Sequence, residues 1–317
     1  LNPIADRLAT QPIIVLDGAL ATELERRGAD LRDPLWSAKC LIESPELIEA
    51  VHRDYFLAGA DVATTATYQA TFEGFERRGI ERQRAEHLMR EAVTLALRAR
   101  DDFWSDPGNR KSRSRPLVAA SIGPYGAMLA DGSEYRGDYA AGDGELAAFH
   151  RPRLELLVQS GADLIACETL PCLREALVLA RLLQDFPSAR AWISFSCKDG
   201  SHDSQGEPIA DCAAALRGHD QVAALGVNCT APRFVGEILE RMREHADKPL
   251  LAYPNSGEVY DADAKRWTGH AGHRSLGAQV RDWYRSGARL IGGCCRSTPD
   301  DIREMREQSA ALAHSVT

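Results

Sequence analysis

Eight short apolar runs recur along the 317-residue chain, at 13–16, 62–65, 117–120, 163–166, 192–195, 223–227, 250–253 and 289–291. Most are continuous rather than alternating, as expected of parallel strands covered on both faces. The stretches between them carry helix signals. Ser44-Pro45-Glu46 offers an N-cap, a first-turn proline and an acid, and Leu47, Ile48, Val51, Tyr55 and Phe56 follow at helical spacing. Residues 81–103, 174–186, 233–245 and 276–286 read similarly, and Thr298-Pro299-Asp300-Asp301 caps a last helix. Gly59-Ala60-Asp61, Gly161-Ala162-Asp163 and Gly287-Ala288-Arg289 each stand between a helix and the next run, where glycine ends the helix. Eight strand-then-helix units predict an α/β fold, a single (β/α)8 TIM barrel domain over residues 1–317. The alternative, a doubly wound sheet, lacks a glycine fingerprint after any strand. Gly142-Asp143-Gly144-Glu145-Leu146-Ala147 matches that pattern only loosely and lies in a polar stretch.

Two connections exceed ordinary loop length, 123–143 after the third strand and 254–273 after the seventh. Both leave the C-terminal ends of strands, where barrel enzymes build their sites, and both are candidate lids. The basic segment 110–115 reads as solvated surface.

A net charge of −8 argues against nonspecific partnership with nucleic acid or anionic membrane. No apolar run approaches the roughly 20 residues of a spanning helix. The first residues show no basic-then-apolar leader pattern. Eight cysteines in such a chain then point to a reducing, cytoplasmic setting, where clustered thiols bind metal or react. Cys40, Cys172 and Cys212 fall in helix-like segments and read as small buried hydrophobes.

The strand map gathers polar residues at one rim. Asp17 follows the first strand, Thr65 and Thr67 end the second, and Glu168 follows the fourth. Asn228 and Cys229 end the sixth, Asn255 follows the seventh, and Cys294 and Cys295 end the eighth. Gly226-Val227-Asn228-Cys229-Thr230 and Gly292-Gly293-Cys294-Cys295-Arg296 thus bring three thiols to two strand ends. Three soft ligands with a fourth position open suit a reactive Zn²⁺, since structural zinc fills all four positions with protein. Buried hydrophobes or an oxidisable pair are the competing readings of Cys294-Cys295. His202, His270 and His273 read as exposed loop histidines. Asp17 and Glu168 either cap loop amides or bind a cationic group such as an α-ammonium. Thr65, Thr67 and Asn228 either hydrogen-bond substrate or satisfy loop backbone, and Asn228 can also orient a ligand cysteine.

Taken together, Asp17-Gly18, Thr65-Ala66-Thr67-Tyr68, Gly123-Pro124-Tyr125-Gly126, Glu168-Thr169, Gly226-Val227-Asn228-Cys229 and Gly292-Gly293-Cys294-Cys295-Arg296-Ser297-Thr298-Pro299 resemble the homocysteine S-methyltransferases in content and order. The resemblance covers about residues 13–302. Tyr125, Asp131-Gly132-Ser133-Glu134-Tyr135-Arg136-Gly137 and Tyr253-Pro254-Asn255-Ser256-Gly257 look most like the branch that uses S-methylmethionine. The resemblance implies Zn²⁺ on Cys229, Cys294 and Cys295, and homocysteine bound through Asp17, Thr65, Glu168 and Asn228. It also implies a sulfonium methyl donor in a pocket with aromatic faces, for which Trp36, Tyr68, Tyr125 and Tyr135 are the candidates. S-adenosylmethionine is expected to be a poorer donor. Betaine-using relatives carry a tyrosine where Gln69 stands and extend further at the C-terminus, so betaine is disfavoured and a monomer expected. Competing functions are a structural-zinc or redox-sensing thiol protein on a barrel scaffold, or a barrel aldolase or phosphate enzyme.

Overall fold

The computed structural model describes the chain except residues 1, 32, 34, 112, 262–265, 269–273 and 316–317, and except the side chains of 36, 259–261, 266–267 and 314–315. Eight parallel strands form the barrel: β1 (Ile14–Val15), β2 (Val62–Thr64), β3 (Leu117–Ile122), β4 (Leu164–Leu170), β5 (Ala191–Phe195), β6 (Val222–Asn228), β7 (Leu250–Tyr253) and, after a hairpin of β8 (Val259–Asp261) and β9 (Arg266–Thr268), β10 (Ala288–Ile291). The hydrogen-bonded order is β1-β10-β7-β6-β5-β4-β3-β2. The remaining seam, β1 to β2, closes through one bridge, Leu16 to Val62.

Strand residues alternate between two cores, which is why both faces are apolar. Ile14, Leu16, Val62, Trp192, Leu251 and Leu290 fill the barrel interior. Ile13, Val15, Ile193, Leu225 and Ile291 pack outward against the helices. Helix Pro3–Leu8, which periodicity did not reveal, is capped by Asn2 and sends Ile4 into the interior cluster at the N-terminal mouth.

The helices fall close to the expected positions, at Pro45–Ala58, Arg82–Ser105, Leu173–Leu183, Pro232–Arg243, Val280–Ser286 and Pro299–Ser315. Asp301 accepts both the Thr298 N–H and its hydroxyl at 2.9 Å, so its carboxylate ties down the start of the last helix. Ser44 occupies an N-cap position but makes no side-chain cap bond. The segment 110–115 is not simply solvated. Arg113 donates to the carbonyls of Phe56 (2.7 Å) and Ala60 and lies 3.7 Å from Asp61. Gly142 precedes helix Asp143–Val158 rather than following a strand. Connection 123–143 folds into helix Tyr125–Leu129 and a 3-10 turn, Ser133–Tyr135. His270 and His273 lie outside the described residues.

Candidate metal centre and substrate pocket

The end of β6 positions the first thiol. Cys229 is in the left-handed region at φ 46°, uncommon for a side-chain-bearing residue and a sign of a constrained site. Its N–H bonds to the Tyr253 carbonyl at 3.2 Å and its carbonyl accepts from Asn255 at 3.4 Å, so β7 holds the turn from both sides. The other two thiols follow β10. Gly293 has no room for a Cβ, which would run into Ser297. That closeness lets the Ser297 hydroxyl donate to the Cys294 carbonyl at 2.7 Å while accepting from the Ala19 N–H at 3.1 Å. The Cys294 N–H reaches the Pro254 carbonyl at 2.8 Å. Loops after β1, β7 and β10 are thereby stitched into one rim.

The sulfurs of Cys229, Cys294 and Cys295 all lie within 4.8 Å of one another, close enough to share one ion. Cys229 Sγ is 3.5 Å from Cys295 Sγ and 3.2 Å from the Tyr135 hydroxyl. Hydrogen bonds from the two partner thiols hold the Cys229 thiol well below its ordinary pKa, while sharing that anion pushes Cys294 and Cys295 up. Three soft donors converging on one point, one already biased to thiolate, fit a thiophilic divalent metal.

Support comes from buried polar groups below. Asn228 is fully buried, with its Oδ1 accepting from the Thr169 N–H (2.7 Å) and Ser194 hydroxyl (2.8 Å). Its Nδ2 donates to Thr169 Oγ1 at 2.8 Å and faces Cys294 Sγ at 3.7 Å. Its capacity is spent inside the protein, which favours the orienting reading over direct substrate contact. Glu168, on β4 rather than after it, accepts from the Ser121 hydroxyl and from the Tyr253 hydroxyl at 2.9 Å. Burial lifts its carboxyl to about 7, with Cys294 adding to the rise. Asp17 accepts from the Thr64 N–H at 2.8 Å and hydroxyl at 3.0 Å, and burial raises its pKa well above the usual range. The Thr65 hydroxyl pairs with Thr67 at 2.7 Å and accepts from the Ser121 N–H at 3.1 Å, tying β2 to β3.

One pocket is lined by the three cysteines together with Asp17, Thr65, Tyr68, Gln69, Glu134, Tyr135, Glu168 and Tyr253. Among its described lining residues are five carboxylates, Asp17, Glu25, Asp33, Glu134 and Glu168, and no lysine or arginine. Such a lining favours cationic ligands.

A family profile described as homocysteine S-methyltransferase matches residues 14–309. A homocysteine S-methyltransferase of Bacillus subtilis, YbgG, is 56% identical over 316 residues, covering 100% of this chain and 99% of that protein. One from Escherichia coli is 50% identical over 309 residues, covering 97% and 99%. This chain belongs to the homocysteine S-methyltransferase family. The solved metallated form of the Escherichia coli homocysteine methyltransferase MmuM superposes with a TM-score of 0.87 at 47% identity, covering 97% of this chain and all of that one. The family assignment makes the chain a methyltransferase and replaces the sensing, aldolase and phosphate-enzyme readings.

Within this family member, the structure separates the expected aromatic residues. Tyr68 and Tyr135 line the cysteine pocket. Tyr125 does not. It packs on Tyr139 and Phe149, and its hydroxyl donates to Glu145 at 2.9 Å in a separate groove. Trp36 begins a 3-10 turn, and its side chain lies outside the described residues. Sequence reasoning quoted Glu134 and Tyr253 only within motifs and missed Ser121 and Ser194 as Glu168 and Asn228 partners. The only available signal was their place at strand ends or beside Tyr135. Among the described residues no helix is long and apolar enough to cross a membrane.

Proposed function

We propose that this enzyme uses zinc on Cys229, Cys294 and Cys295 and S-methylmethionine as its preferred methyl donor. The observation that carries the reading is the opening of three convergent thiols into a pocket whose charged lining is all acidic. A zinc ion held there would keep a substrate thiol deprotonated near neutral pH, where a free thiol with pKa near 8.5 is mostly protonated.

The chain's own groups then have distinct tasks. Glu168, fixed by Ser121 and Tyr253, accepts the α-ammonium of homocysteine. Asp17 and Thr65 shape the same wall, and Asn228 orients Cys294. Tyr68 and Tyr135 present ring faces to a sulfonium. With the two sulfurs aligned across the methyl carbon and water excluded, the homocysteine thiolate attacks that carbon. The carbon–sulfonium bond breaks, its electron pair stays on the donor sulfur, and both products are neutral thioethers.

The arrangement is proposed to work on one barrel domain, as a monomer in the cytoplasm. Among the described residues the exposed large hydrophobic side chains are Ile42 and Leu57, which supports a surface without an obligate apolar interface. Light scattering tests the monomer. The chemistry is tested by zinc-replete enzyme given homocysteine with S-methylmethionine, S-adenosylmethionine and betaine at equal concentration. Preferential consumption of S-methylmethionine is expected. Preference for betaine or S-adenosylmethionine overturns the donor assignment, and activity without loss after zinc is replaced by no metal overturns the zinc.

A further inference from the structure

Glu134 is the one carboxylate of the buried pocket wall with an oxygen left unused. Its residue is 9% exposed, and its Oε2 is buried with no hydrogen-bond partner among the described residues. Asp17 is bonded to Thr64, and both oxygens of Glu168 accept hydroxyls. A buried acceptor left unsatisfied costs about 1–3 kcal/mol, more when charged, so such a group calls for a ligand.

Its position is enforced rather than accidental. Glu134 is the middle residue of the 3-10 turn Ser133–Tyr135. Gly126 lies so close beneath that a Cβ there would be 2.6 Å from the Glu134 N–H nitrogen. From the other side the Ser196 hydroxyl donates to the Glu134 carbonyl at 3.1 Å. The neighbouring Tyr135 hydroxyl touches Cys229 Sγ at 3.2 Å. Glu134 lines the same pocket as Tyr68 and Tyr135. Arg136, two residues on, is engaged with Asp138 and the Asp131 carbonyl. Burial lifts the Glu134 carboxyl to about 7, leaving it ready to ionise against an incoming cation.

The two carboxylates are held by different parts of the pocket: Glu168 by Ser121 and Tyr253, and Glu134 in the turn beside Tyr135, whose hydroxyl meets Cys229. In-line methyl transfer places the two sulfurs on opposite sides of the methyl carbon, so the two amino-acid tails must leave the reaction centre in different directions. An orphaned acceptor is satisfied by an N–H donor, which an ammonium has and a sulfonium lacks. We propose that Glu134 is the anchor for the α-ammonium of the methyl donor, making the donor site selective for an amino-acid sulfonium. This rests on the sulfonium-donor reading above.

The test compares wild type with Glu134→Gln, both zinc-loaded. One donor is S-methylmethionine and the other is its deaminated analogue, (3-carboxypropyl)dimethylsulfonium. Glu134→Gln is expected to raise the KM for S-methylmethionine about ten- to a hundredfold, the loss of one charge-assisted bond. Bound zinc, homocysteine KM and kcat at saturating donor should stay within about twofold, since the lost contact is the same in ground and transition states. The analogue should bind wild type as weakly as S-methylmethionine binds the variant, and should be indifferent to the substitution. An unchanged KM for S-methylmethionine, or an equal loss with the analogue, overturns the assignment while leaving the donor reading intact. If the variant does not fold, calorimetry on wild type alone decides: equal affinity for the two sulfoniums overturns it, and a tenfold or greater preference for the amino acid supports it. A wild type inert toward S-methylmethionine but active with another donor overturns both readings.

Discussion

The two mouths of the barrel treat their carboxylates in opposite ways. At the N-terminal mouth, Asp61 accepts from the Val15 N–H and Gln11 at 2.9 Å each, pairs with Arg306 and lies 3.7 Å from Arg113. Asp163, at the matching position before β4, accepts from the Val118 N–H at 2.8 Å and pairs with Arg100 at 3.0 Å. At the C-terminal mouth, Asp17 and Glu168 are held by the neutral donors Thr64, Ser121 and Tyr253, and Glu134 keeps an oxygen unpaired. The described pocket lining contains no lysine or arginine. Charges answered within the chain favour the folded barrel. Charges left with neutral partners are raised toward protonation by burial and wait for a cation from outside.

The comparison can be broken most severely at the cysteines. Replacing Cys229, Cys294 or Cys295 with Ala should cut metal affinity more than about a hundredfold and abolish nearly all methionine formation, because two thiolates hold the ion poorly. Thermal unfolding of the metal-free proteins should barely change. Full metal content and turnover in one variant would remove that cysteine from the site.

Glu168→Gln comes next. It should weaken homocysteine by about 1.5–3 kcal/mol, roughly ten- to a hundredfold, at unchanged metal content. Equal affinity in variant and wild type at matched metal loading would take Glu168 out of substrate recognition.

A smaller effect is graded by pH. Burial raises the Glu168 carboxyl from 4.5 to about 7. Below that value the neutral acid predominates and no longer attracts an ammonium. Homocysteine affinity should therefore fall as pH drops through this window, by up to about tenfold per unit. A nearby cation favours the carboxylate and moves the midpoint downward. The ratio of wild-type to Glu168→Gln affinity isolates this group, and a ratio constant from pH 5 to 8, roughly the range spanning the shift, would refute the titration.

The opposite mouth should respond in the opposite currency. Arg306→Ala removes a partner of buried Asp61 and should cost about 1–3 kcal/mol of stability, several degrees in Tm. Its kcat and both KM values should match wild type. Activity lost in step with metal content would show that the two mouths are coupled.

Much of this was legible beforehand, for particular reasons. The strand cores were readable because interior and exterior cores both demand apolar residues, as Ile14 inside and Ile13 outside illustrate. The cysteines were readable because soft ligands at two strand ends are chemically unusual. Strand ends were less so. β4 runs on through Glu168 to Leu170 and β6 through Asn228, because polar residues continue a ladder when their side chains find buried partners. The Gly-Ala-Asp repeat was legible as a helix stop. Its aspartates' second task, accepting the N–H of a neighbouring strand, was not.

Sequence alone determined the βα repeat, the barrel, the identity of the thiols and the gathering of polar residues at one rim, since periodicity and residue chemistry are local properties. Tertiary structure alone decided which polar groups remain unspent. Tyr125 and Tyr135 stand ten positions apart in one loop, yet one packs on Phe149 away from the cysteine pocket's lining and the other touches Cys229. Asn228 reads as a polar rim residue, and Glu134 only as part of a loop motif. The first is fully satisfied by Thr169 and Ser194, and the second retains a bare oxygen. Hydrogen-bond satisfaction depends on partners brought together from distant strands and loops, so it exists only once the barrel has closed.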